Sequence, residues 1–349
     1  MTDFDLAVLG DCNADLLVRG DDVVPAFGQQ ERLVDEAKLT IGGSGGICAS
    51  GAARLGLRVA MVGVLGDDVF GRFMRDSLAE RGVDVSAVRI DRHVPTGLTV
   101  HLVRGDDRAM LTNPGTVECL RPEIVNADLL ASSRHVHVSA YFLQSGLWEG
   151  LPGLLGQARK AGATVSVDPN WDPSGTWDRG LSRIFGCLDF LLPNGAEAAE
   201  LARTMAGSSA KPASPEAAAR ALTASGATVA VKLGADGALA AAPDGSLVRV
   251  PALPGVRPKD SVGAGDSFDA GFLAGNLWGW DARQALALGA ACGALSTRAS
   301  GGADAQPTRD EAVAAAERIL AAPSSGGSLL PSPPLKRPKL VKSCRSVHR

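Results

Sequence analysis

Short runs of apolar residues alternate along this chain with longer segments in which apolar residues recur at helical spacing. Most of the apolar runs end at Gly, Pro or a polar residue, as buried strands do, and they cover residues 5–10, 57–64, 135–139, 164–168, 190–193 and 228–233. Helical spacing is found at residues 45–55, 71–81, 151–161 and 196–205. This alternation predicts an α/β fold, with a doubly wound, mostly parallel sheet and helices on both faces. Ligands bind such sheets at the carboxyl ends of the strands.

Two regions interrupt the alternation, residues 14–40 and residues 94–113. In the second region the segment LTVHLVR alternates apolar and polar residues before a Gly-Asp-Asp turn, which is typical of a sheet with one exposed face. We therefore expect a small antiparallel β-sheet outside the main layer, which we call the lid. Its apolar face needs a cover, so a homodimer through the lid is a further expectation. That face would hold Leu98, Val100 and Leu102.

Composition divides the 349 residues into a globular part and a tail. With 45% hydrophobic and 21% charged residues the chain can bury a sizeable core, which we assign to one domain, residues 1–322. Residues 323–349 are rich in Ser, Pro and Gly and predict a disordered basic tail. Without the tail the chain has 29 basic against 38 acidic residues. An acidic body of this kind gives no support to a nucleic-acid partner.

No apolar stretch approaches the roughly 20 residues that span a bilayer, and residues 1–10 lack the features of a signal peptide. A cytoplasmic protein without a membrane partner is therefore expected. The six cysteines lie far apart, with no CxxC spacing, so no zinc site is expected either.

The segment DSVGAGD, residues 260–266, precedes a stretch of helical spacing. Gly263 and Gly265 flank Ala264, and such a turn lets backbone N–H groups converge at a helix N-terminus, where anions bind. Asp266 at the end of the turn is placed to accept a proton from a hydroxyl that attacks phosphorus. Taken alone, the segment is equally an ordinary Gly-rich turn with Asp266 as the helix N-cap.

A series of segments, in the order of the family, resembles the ribokinase-like (PfkB) carbohydrate kinases from about residue 4 to about residue 307. DSVGAGDSFDAGFLAG is similar to the carboxy-terminal signature of the family, and residues 42–56 and 62–88 are similar to its amino-terminal signature region. Further similar strings are PTGLTVHLV, DPNWDP, LLPNGAE and VKLGADGAL. The resemblance implies a ribokinase-like fold and transfer of the γ-phosphoryl group of ATP to a substrate hydroxyl. It makes Asp266 the base, and it makes the backbone of Gly263, Ala264 and Gly265 the site that stabilises charge on the phosphate.

On the nucleotide side, Asn194 and Glu197 match the Asn-x-x-Glu motif that the family associates with Mg²⁺ and its waters. They also form a sensible capping pair at a helix start, and both interpretations can hold together. Lys232, Gly234 and Gly237 fall on the nucleotide-contacting strand and turn of the family. By themselves they are a strand end and a turn.

On the substrate side, Asp11, Asn13 and Asp15 match the family segment that binds sugar hydroxyls. Residues at i and i+2 of an extended segment point the same way, as recognition of neighbouring hydroxyls requires. An Asx-turn is the alternative for each of them. Gly42 and Gly43 correspond to glycines that approach the sugar closely, where a Cβ would obstruct.

Several positions depart from the family pattern or belong only to some relatives. Ile47 stands where GGxxxN places a substrate-contacting Asn, so Ile47 lines the substrate site without its hydrogen bonds. Asp172 stands where many relatives have Arg, which favours a neutral acceptor over a sugar acid or phosphate. Gly289 lies near the position where ribokinase has an adenine-side Asn, so the resemblance does not assign the adenine contacts. Asp260 and Val262 are candidate ligands of a monovalent cation, K⁺, as in some relatives.

The main prediction is an ATP-dependent kinase of a small neutral sugar or related compound. A nucleoside kinase of the same family and a catalytically silent sugar- or nucleotide-binding regulator are the alternatives. The chain has no GxxxxGK[ST] motif, which excludes a P-loop kinase. Residues 42–46 fit GxSxG, but the triad of a serine hydrolase needs a histidine that follows both the nucleophile and the acid. The histidines at 93, 101, 135 and 137 come too early, and His348 lies in the tail, so a serine hydrolase is not favoured.

Overall fold

A computed structural model describes residues 2–105 and 107–322 of the chain. The predicted disordered tail, residues 323–349, lies outside the described residues. In the described part the strands are β1 (Phe4–Leu9), β2 (Ala14–Arg19), β3 (Glu36–Ile41), β4 (Val59–Val62), β5 (Val64–Gly66), β6 (Val83–Asp84), β7 (Arg89–Asp91), β8 (Leu98–Arg104), β9 (Asp107–Asn113), β10 (Ser133–Val138), β11 (Thr164–Val167), β12 (Phe190–Leu191), β13 (Thr228–Lys232), β14 (Ala238–Ala241) and β15 (Leu247–Val250).

The α-helices of the same part are α1 (Ser44–Arg54), α2 (Val69–Glu80), α3 (Ala127–Ala131), α4 (Leu151–Lys160), α5 (Gly195–Met205), α6 (Pro215–Leu222), α7 (Ala264–Leu277), α8 (Ala282–Ser296) and α9 (Arg309–Ala321). Within the residues described, no helix is long and apolar enough to cross a membrane.

The main sheet has the strand order β15-β14-β13-β12-β11-β10-β1-β4-β6. Its strands pair in parallel from β6 to β13, and only the hairpin strands β14 and β15 at one edge run antiparallel. This confirms the predicted mostly parallel sheet. The predicted strand at 57–64 is divided, because β4 joins the main sheet whereas β5 pairs with β7 in a separate small sheet.

Two hydrophobic cores cover the two faces of the main sheet. The alternation of β1 shows the division: Leu6 and Val8 pack with helices α1, α2, α7, α8 and α9, whereas Ala7 and Leu9 pack with α3 to α6. Side chains of successive strand residues point to opposite faces, so a strand that is apolar at every position is buried on both. The chain is therefore doubly wound, as the sequence predicts.

The lid is a separate sheet in the order β3-β2-β8-β9. The prediction of a purely antiparallel lid is wrong at one pairing, because β2 and β8 run parallel. The chain leaves β3 for α1 and the main layer and then returns to the lid from the same side. Such a crossover is what joins parallel strands, whereas a hairpin joins antiparallel ones.

Candidate active site

Polar residues follow the carboxyl ends of four strands of the main sheet, β1, β11, β12 and β13, and two cavities open there. The lid cavity, about 330 Å³, lies between the main sheet and the inner face of the lid, and includes Asp11, Asp15 and His101. The sheet-end cavity, about 370 Å³, includes Asp168, Glu197 and Lys232. Ser44, Asn170 and Asp266 line both. A molecule in one cavity would therefore meet a molecule in the other beside Asp266.

Asp11 holds the start of α1. Its carboxylate accepts hydrogen bonds from the backbone N–H groups of Ser44, at 3.1 Å, and Gly45, at 3.0 Å. Burial raises the pKa of the Asp11 carboxyl, although these two bonds oppose the shift. Asp11 lines the lid cavity, as predicted for a substrate residue, but its oxygens already have partners from the protein.

Asp15 and Asn13 line the same cavity at the start of β2. The Asn13 amide donates to Asp15 Oδ1 at 3.5 Å, and His101 Nε2 on β8 lies 3.3 Å from Asp15 Oδ2. Burial raises the pKa of the Asp15 carboxyl, and the neighbouring His101 lowers it in part. The three residues the sequence predicts for substrate binding are thus brought together.

The glycines before α1 make room for that polar segment. A Cβ on Gly42 would lie 2.3 Å from Asp15 Cγ, and a Cβ on Gly43 would lie 2.8 Å from Asn13 Oδ1. Gly43 also has a φ of +71°, which favours glycine. Gly43 lines the lid cavity and Gly42 does not, so the close approach at Gly42 is to the protein's own carboxylate. The predicted lining residue Ile47 is 2% exposed and forms an apolar wall of the lid cavity.

The Gly-rich turn leads into α7, as predicted, but the N-cap of this helix is not the residue that the sequence suggests. The N-cap is Gly263, at a φ of +67°, without a side-chain cap, so the interpretation of Asp266 as N-cap is wrong. Asp266 is the third residue of α7. The N–H of Ala264 donates to the carbonyl of Ser261 at 3.3 Å. The pKa of the Asp266 carboxyl is raised to about 7, mainly by burial and next by the negative charge of Asp168.

Lys232 forms a buried ion cluster beside Asp266. Its ammonium lies 2.8 Å from Asp168 Oδ2 and 3.2 Å from both carboxylate oxygens of Asp269 on α7. Burial would lower the pKa of Lys232, but Asp168 and Asp269 hold it above the ordinary value. One carboxylate oxygen from each of Asp168, Asp266 and Asp269 lies within 4.8 Å of the other two, close enough to share a cation. Lys232 supplies that positive charge from the chain itself. It lines the sheet-end cavity, as its predicted nucleotide-binding role requires.

Asn194 and Glu197 form a capping box at the start of α5. The Glu197 carboxylate accepts from the Asn194 backbone at 2.8 Å and from its side-chain amide at 2.6 Å. Burial and the charge of Asp168 raise the pKa of Glu197 to about 7. Both residues line the sheet-end cavity with Gly234. Gly237 lines neither cavity, and a Cβ added there would lie 2.1 Å from the carbonyl oxygen of Val250. Its nucleotide contact stays a prediction.

Asp260 is surrounded by donors. Its carboxylate accepts from the backbone of Val262 at 2.9 Å and of Gly301 at 3.0 Å, and Arg108 Nη1 lies 3.6 Å away. Val262 lines the lid cavity. The role of Asp260 and Val262 as ligands of K⁺ stays a prediction.

Asp172 lies outside both cavities. Its carboxylate accepts hydrogen bonds from Ser174, Thr176 and the backbone of Trp177, so it ties its own loop together. The charge of Asp172 therefore says nothing about the acceptor.

Several residues of the site have no assignment from the sequence, among them Ser44, His101, Arg108, Asp168 and Asn170. Asn170 stands in the DPNWDP string and has a φ of +56°, uncommon for a residue with a side chain. His101 and Arg108 belong to the lid strands β8 and β9, where the two-residue period of the strands indicates that they share the inner face.

A family model for pfkB family carbohydrate kinases matches residues 3–309 of the chain. The chain belongs to the pfkB family. This pfkB kinase is therefore a phosphotransferase with an alcohol group as acceptor, and the ribokinase-like fold, with the main sheet and the lid described above, is the fold of its relatives.

Two curated relatives show the range of the family. An ATP-dependent ribose-1-phosphate kinase of Halopiger xanaduensis is 34% identical over 312 residues, which covers 88% of this chain and 95% of the relative. A fructokinase of Klebsiella pneumoniae is 32% identical over 318 residues, covering 86% and 98%. A solved ribokinase II from E. coli in complex with ATP and Mg²⁺ has a TM-score of 0.77 at 23% identity, covering 90% of this chain and 99% of that one. ATP and Mg²⁺ are thus ligands of that structural neighbour.

Proposed function

We propose that this pfkB kinase transfers the γ-phosphoryl group of ATP to a hydroxyl group of a small neutral sugar or related polyol. The observation that carries the proposal is the position of Asp266 where the two cavities meet. An acceptor in the lid cavity and a nucleotide phosphate in the sheet-end cavity would approach each other at this carboxylate. A base must lie within hydrogen-bond reach of the proton it removes. Asp266 meets this requirement for an acceptor in the lid cavity, because it lines both cavities.

The charges of the lid cavity support a neutral acceptor. Its lining includes the carboxylates of Asp11, Asp15, Glu118 and Asp266, and no Lys or Arg among the residues that the structure describes. A phosphate or carboxylate on the acceptor would face these negative charges, and the nearby cation on the inner face of the lid, Arg108, already lies 3.6 Å from the Asp260 carboxylate. The acceptor of this chain thus differs in our proposal from ribose 1-phosphate, which the name of the Halopiger relative implies for that enzyme.

The proposed reaction uses the residues of both cavities. The Asp266 carboxylate accepts the proton of the acceptor hydroxyl. The hydroxyl oxygen then bonds to the γ-phosphorus, and the bond between that phosphorus and the leaving ADP breaks. A pKa of about 7 suits a base at neutral pH. The backbone of Gly263, Ala264 and Gly265 at the N-terminus of α7 stabilises charge on the transferred group. The lid covers the acceptor and excludes water, which limits hydrolysis of ATP.

The donors of the sheet-end cavity fit a magnesium nucleotide. Carboxylate and amide oxygens are hard ligands of the kind that Mg²⁺ prefers, and Asn194 and Glu197 offer them through waters. Bound Mg²⁺ would neutralise charge on the phosphates. Lys232 and Gly234 complete this side, and the ion pair of Lys232 with Asp168 keeps the lysine charged beside the phosphates. We place this ATP-dependent reaction in the cytoplasm.

A homodimer through the outer face of the lid belongs to the same proposal. Leu111 on β9 is 61% exposed, and its neighbours across the sheet on that face are only half-buried: Leu16, Val18, Val100 and Leu102. An apolar sheet face of this extent is stabilised when a second copy covers it.

Release of ADP from Mg-ATP tests the function, with D-ribose, D-fructose, myo-inositol, adenosine, ribose 1-phosphate and gluconate as acceptors. We expect turnover with a neutral sugar or polyol and a loss of kcat of about 10²–10⁴-fold in Asp266→Asn. Asp310→Asn, the same change at an exposed position of α9, should keep wild-type activity. Turnover with an anionic acceptor alone would contradict the neutral acceptor. ATP binding without turnover of any compound would favour the silent regulator, and adenosine alone would favour the nucleoside kinase.

A further inference from the structure

His101 is a buried histidine that the proposed reaction does not yet use. It lies on the inner face of lid strand β8, is 4% exposed, and lines the lid cavity. Its Nε2 lies 3.3 Å from Asp15 Oδ2, but neither ring nitrogen makes an aligned hydrogen bond within the described residues. The imidazole is therefore close to a carboxylate and still lacks a satisfied partner.

Buried polar atoms in folded proteins nearly always have hydrogen-bond partners. The buried His135 in the core follows this rule, because its two ring nitrogens lie 2.7 Å from the hydroxyls of Thr164 and Ser166. The buried His137 has one ring nitrogen 2.7 Å from Ser166, whereas its Nε2 has no partner among the described residues. His101 differs from both, because neither of its ring nitrogens is bonded and its ring faces a cavity. A ligand in that cavity is the natural source of the missing partner.

Asp15 is the carboxylate best able to share such a ligand. The oxygens of Asp11 accept from the backbone of α1. Within the described part of the chain, Asp15 has only a long contact, 3.5 Å, from the Asn13 amide and the unaligned approach of His101. Gly42 leaves the space in which the Asp15 carboxylate sits. The protein thus keeps one carboxylate and one imidazole side by side at the cavity wall with bonding capacity to spare.

We propose that His101 and Asp15 together bind one hydroxyl group of the acceptor, and that His101 determines which acceptor is used. The hydroxyl donates its proton to Asp15 Oδ2 and accepts a hydrogen bond from the N–H at Nε2 of His101, which gives the carboxylate and this ring nitrogen a partner at once. This inference rests on the proposed function, because it assigns a contact to its acceptor. An acceptor without that hydroxyl leaves a buried pair unsatisfied, and sites of this type reject such analogues strongly.

Asp15 on β2 and His101 on β8 lie on neighbouring, parallel strands of the lid. A hydroxyl that bonds both residues is therefore held by the lid itself. The pairing of these two strands fixes the spacing of the carboxylate and the imidazole, and with it the position of the hydroxyl that they accept.

The test compares His101→Leu, His101→Gln and the matched control His93→Leu, which makes the same change at an exposed loop residue. Kinetics are measured with the compound that the wild type phosphorylates in the panel above and with each of its monodeoxy analogues. We expect the wild type to discriminate about 100-fold against one analogue in kcat/KM. His101→Leu should raise KM for the full acceptor about tenfold or more and reduce that discrimination to a few-fold, with KM for ATP unchanged. His101→Gln, which keeps an amide donor, should restore most of the discrimination.

The outcomes separate this inference from the proposed function. If the wild type turns over an acceptor and His101→Leu retains both the KM and the discrimination, the contact is refuted and the kinase function stands. If the wild type binds Mg-ATP but phosphorylates none of the compounds, the proposed function fails and the inference fails with it. If His101→Leu melts well below the wild type, His101→Gln decides, and a full loss of discrimination in a folded His101→Gln would also refute the contact.

Discussion

The ammonium of Lys232 lies 2.8 Å from the carboxylate of Asp168, across the carboxyl ends of β13 and β11. A second carboxylate, Asp269 on α7, contacts the same ammonium at 3.2 Å. The side chains of all three residues are at most 11% exposed. This ion cluster joins the main sheet to the helix that carries Asp266, so it stabilises the fold and sets the electrostatic surroundings of the proposed base.

Removal of the lysine charge should destabilise the protein. Lys232→Met leaves buried carboxylates without their cation, and breaking a buried ion pair on one side costs about 3–5 kcal/mol in the free energy of unfolding. Lys211→Met removes an exposed lysine that pairs with Glu200, and it should cost less than about 1 kcal/mol. Urea denaturation of both variants measures the difference. Equal losses in the two variants would mean that the cluster contributes no more than a surface pair.

The pH dependence of the reaction should reflect the carboxyl group of Asp266. Its pKa is raised to about 7, and it accepts a proton only when ionised, so kcat/KM for the acceptor should fall about tenfold per pH unit below 7 and level off above about pH 8. Glu197 also has a pKa of about 7. The acid limb should therefore persist in Glu197→Gln, whatever that variant does to the rate. It should move to higher pH in Lys232→Met, because the lysine charge lowers the pKa of Asp266.

Two outcomes would contradict the assignment of the acid limb to Asp266. A kcat/KM that stays flat from about pH 5.5 to about pH 8 would exclude a base with a pKa near 7. An acid limb that disappears in Glu197→Gln would assign the titration to Glu197, and the role of Asp266 would then need another basis.

The sequence predicts most of the fold and the residues that follow strand ends. Asn194 and Lys232 come directly after or at the end of apolar runs, and parallel strands bring their carboxyl ends to one edge, so local pattern is enough to join them. The same reasoning places Asp266 at the start of a helix. Its exact position as third residue, after a glycine cap, depends on backbone angles that the sequence does not specify.

Contacts between distant segments could not be predicted. The parallel pairing of β2 with β8 follows from how the chain returns to the lid, and it brings His101 beside Asp15. The motif position of Asp172 indicates a pocket residue, but its loop turns the carboxylate onto Ser174 and Trp177. Hydrogen bonds within a loop compete with those to a ligand, and a match to a motif position does not reveal which of them forms.

Two glycines with positive φ near α1 should respond differently to alanine. A Cβ on Gly56, at a φ of +90°, would have no other atom within 4 Å, so Gly56→Ala carries only the backbone cost of about 1–2 kcal/mol. A Cβ on Gly43, at +71°, would meet Asn13 and Asp11 atoms at 2.8 to 2.9 Å. Gly43→Ala should therefore lose more stability and raise KM for the acceptor, because Asn13 must move. Thermal melts and steady-state kinetics of both variants test this, and an unchanged KM in Gly43→Ala would separate Asn13 from acceptor binding.

The outer face of the lid should respond to a buried charge if two copies meet there. Leu111→Arg would place guanidinium groups inside the proposed interface, where they cost far more than in water, so the dimer should dissociate at higher protein concentrations than the wild-type dimer does. Val69→Arg, at a residue of α2 that is 59% exposed, is the matched control and should leave the association unchanged. Sedimentation equilibrium over a range of concentrations measures both. A wild-type chain that is monomeric at every concentration, or a dimer that tolerates Leu111→Arg, would mean that this apolar face is not the contact between copies.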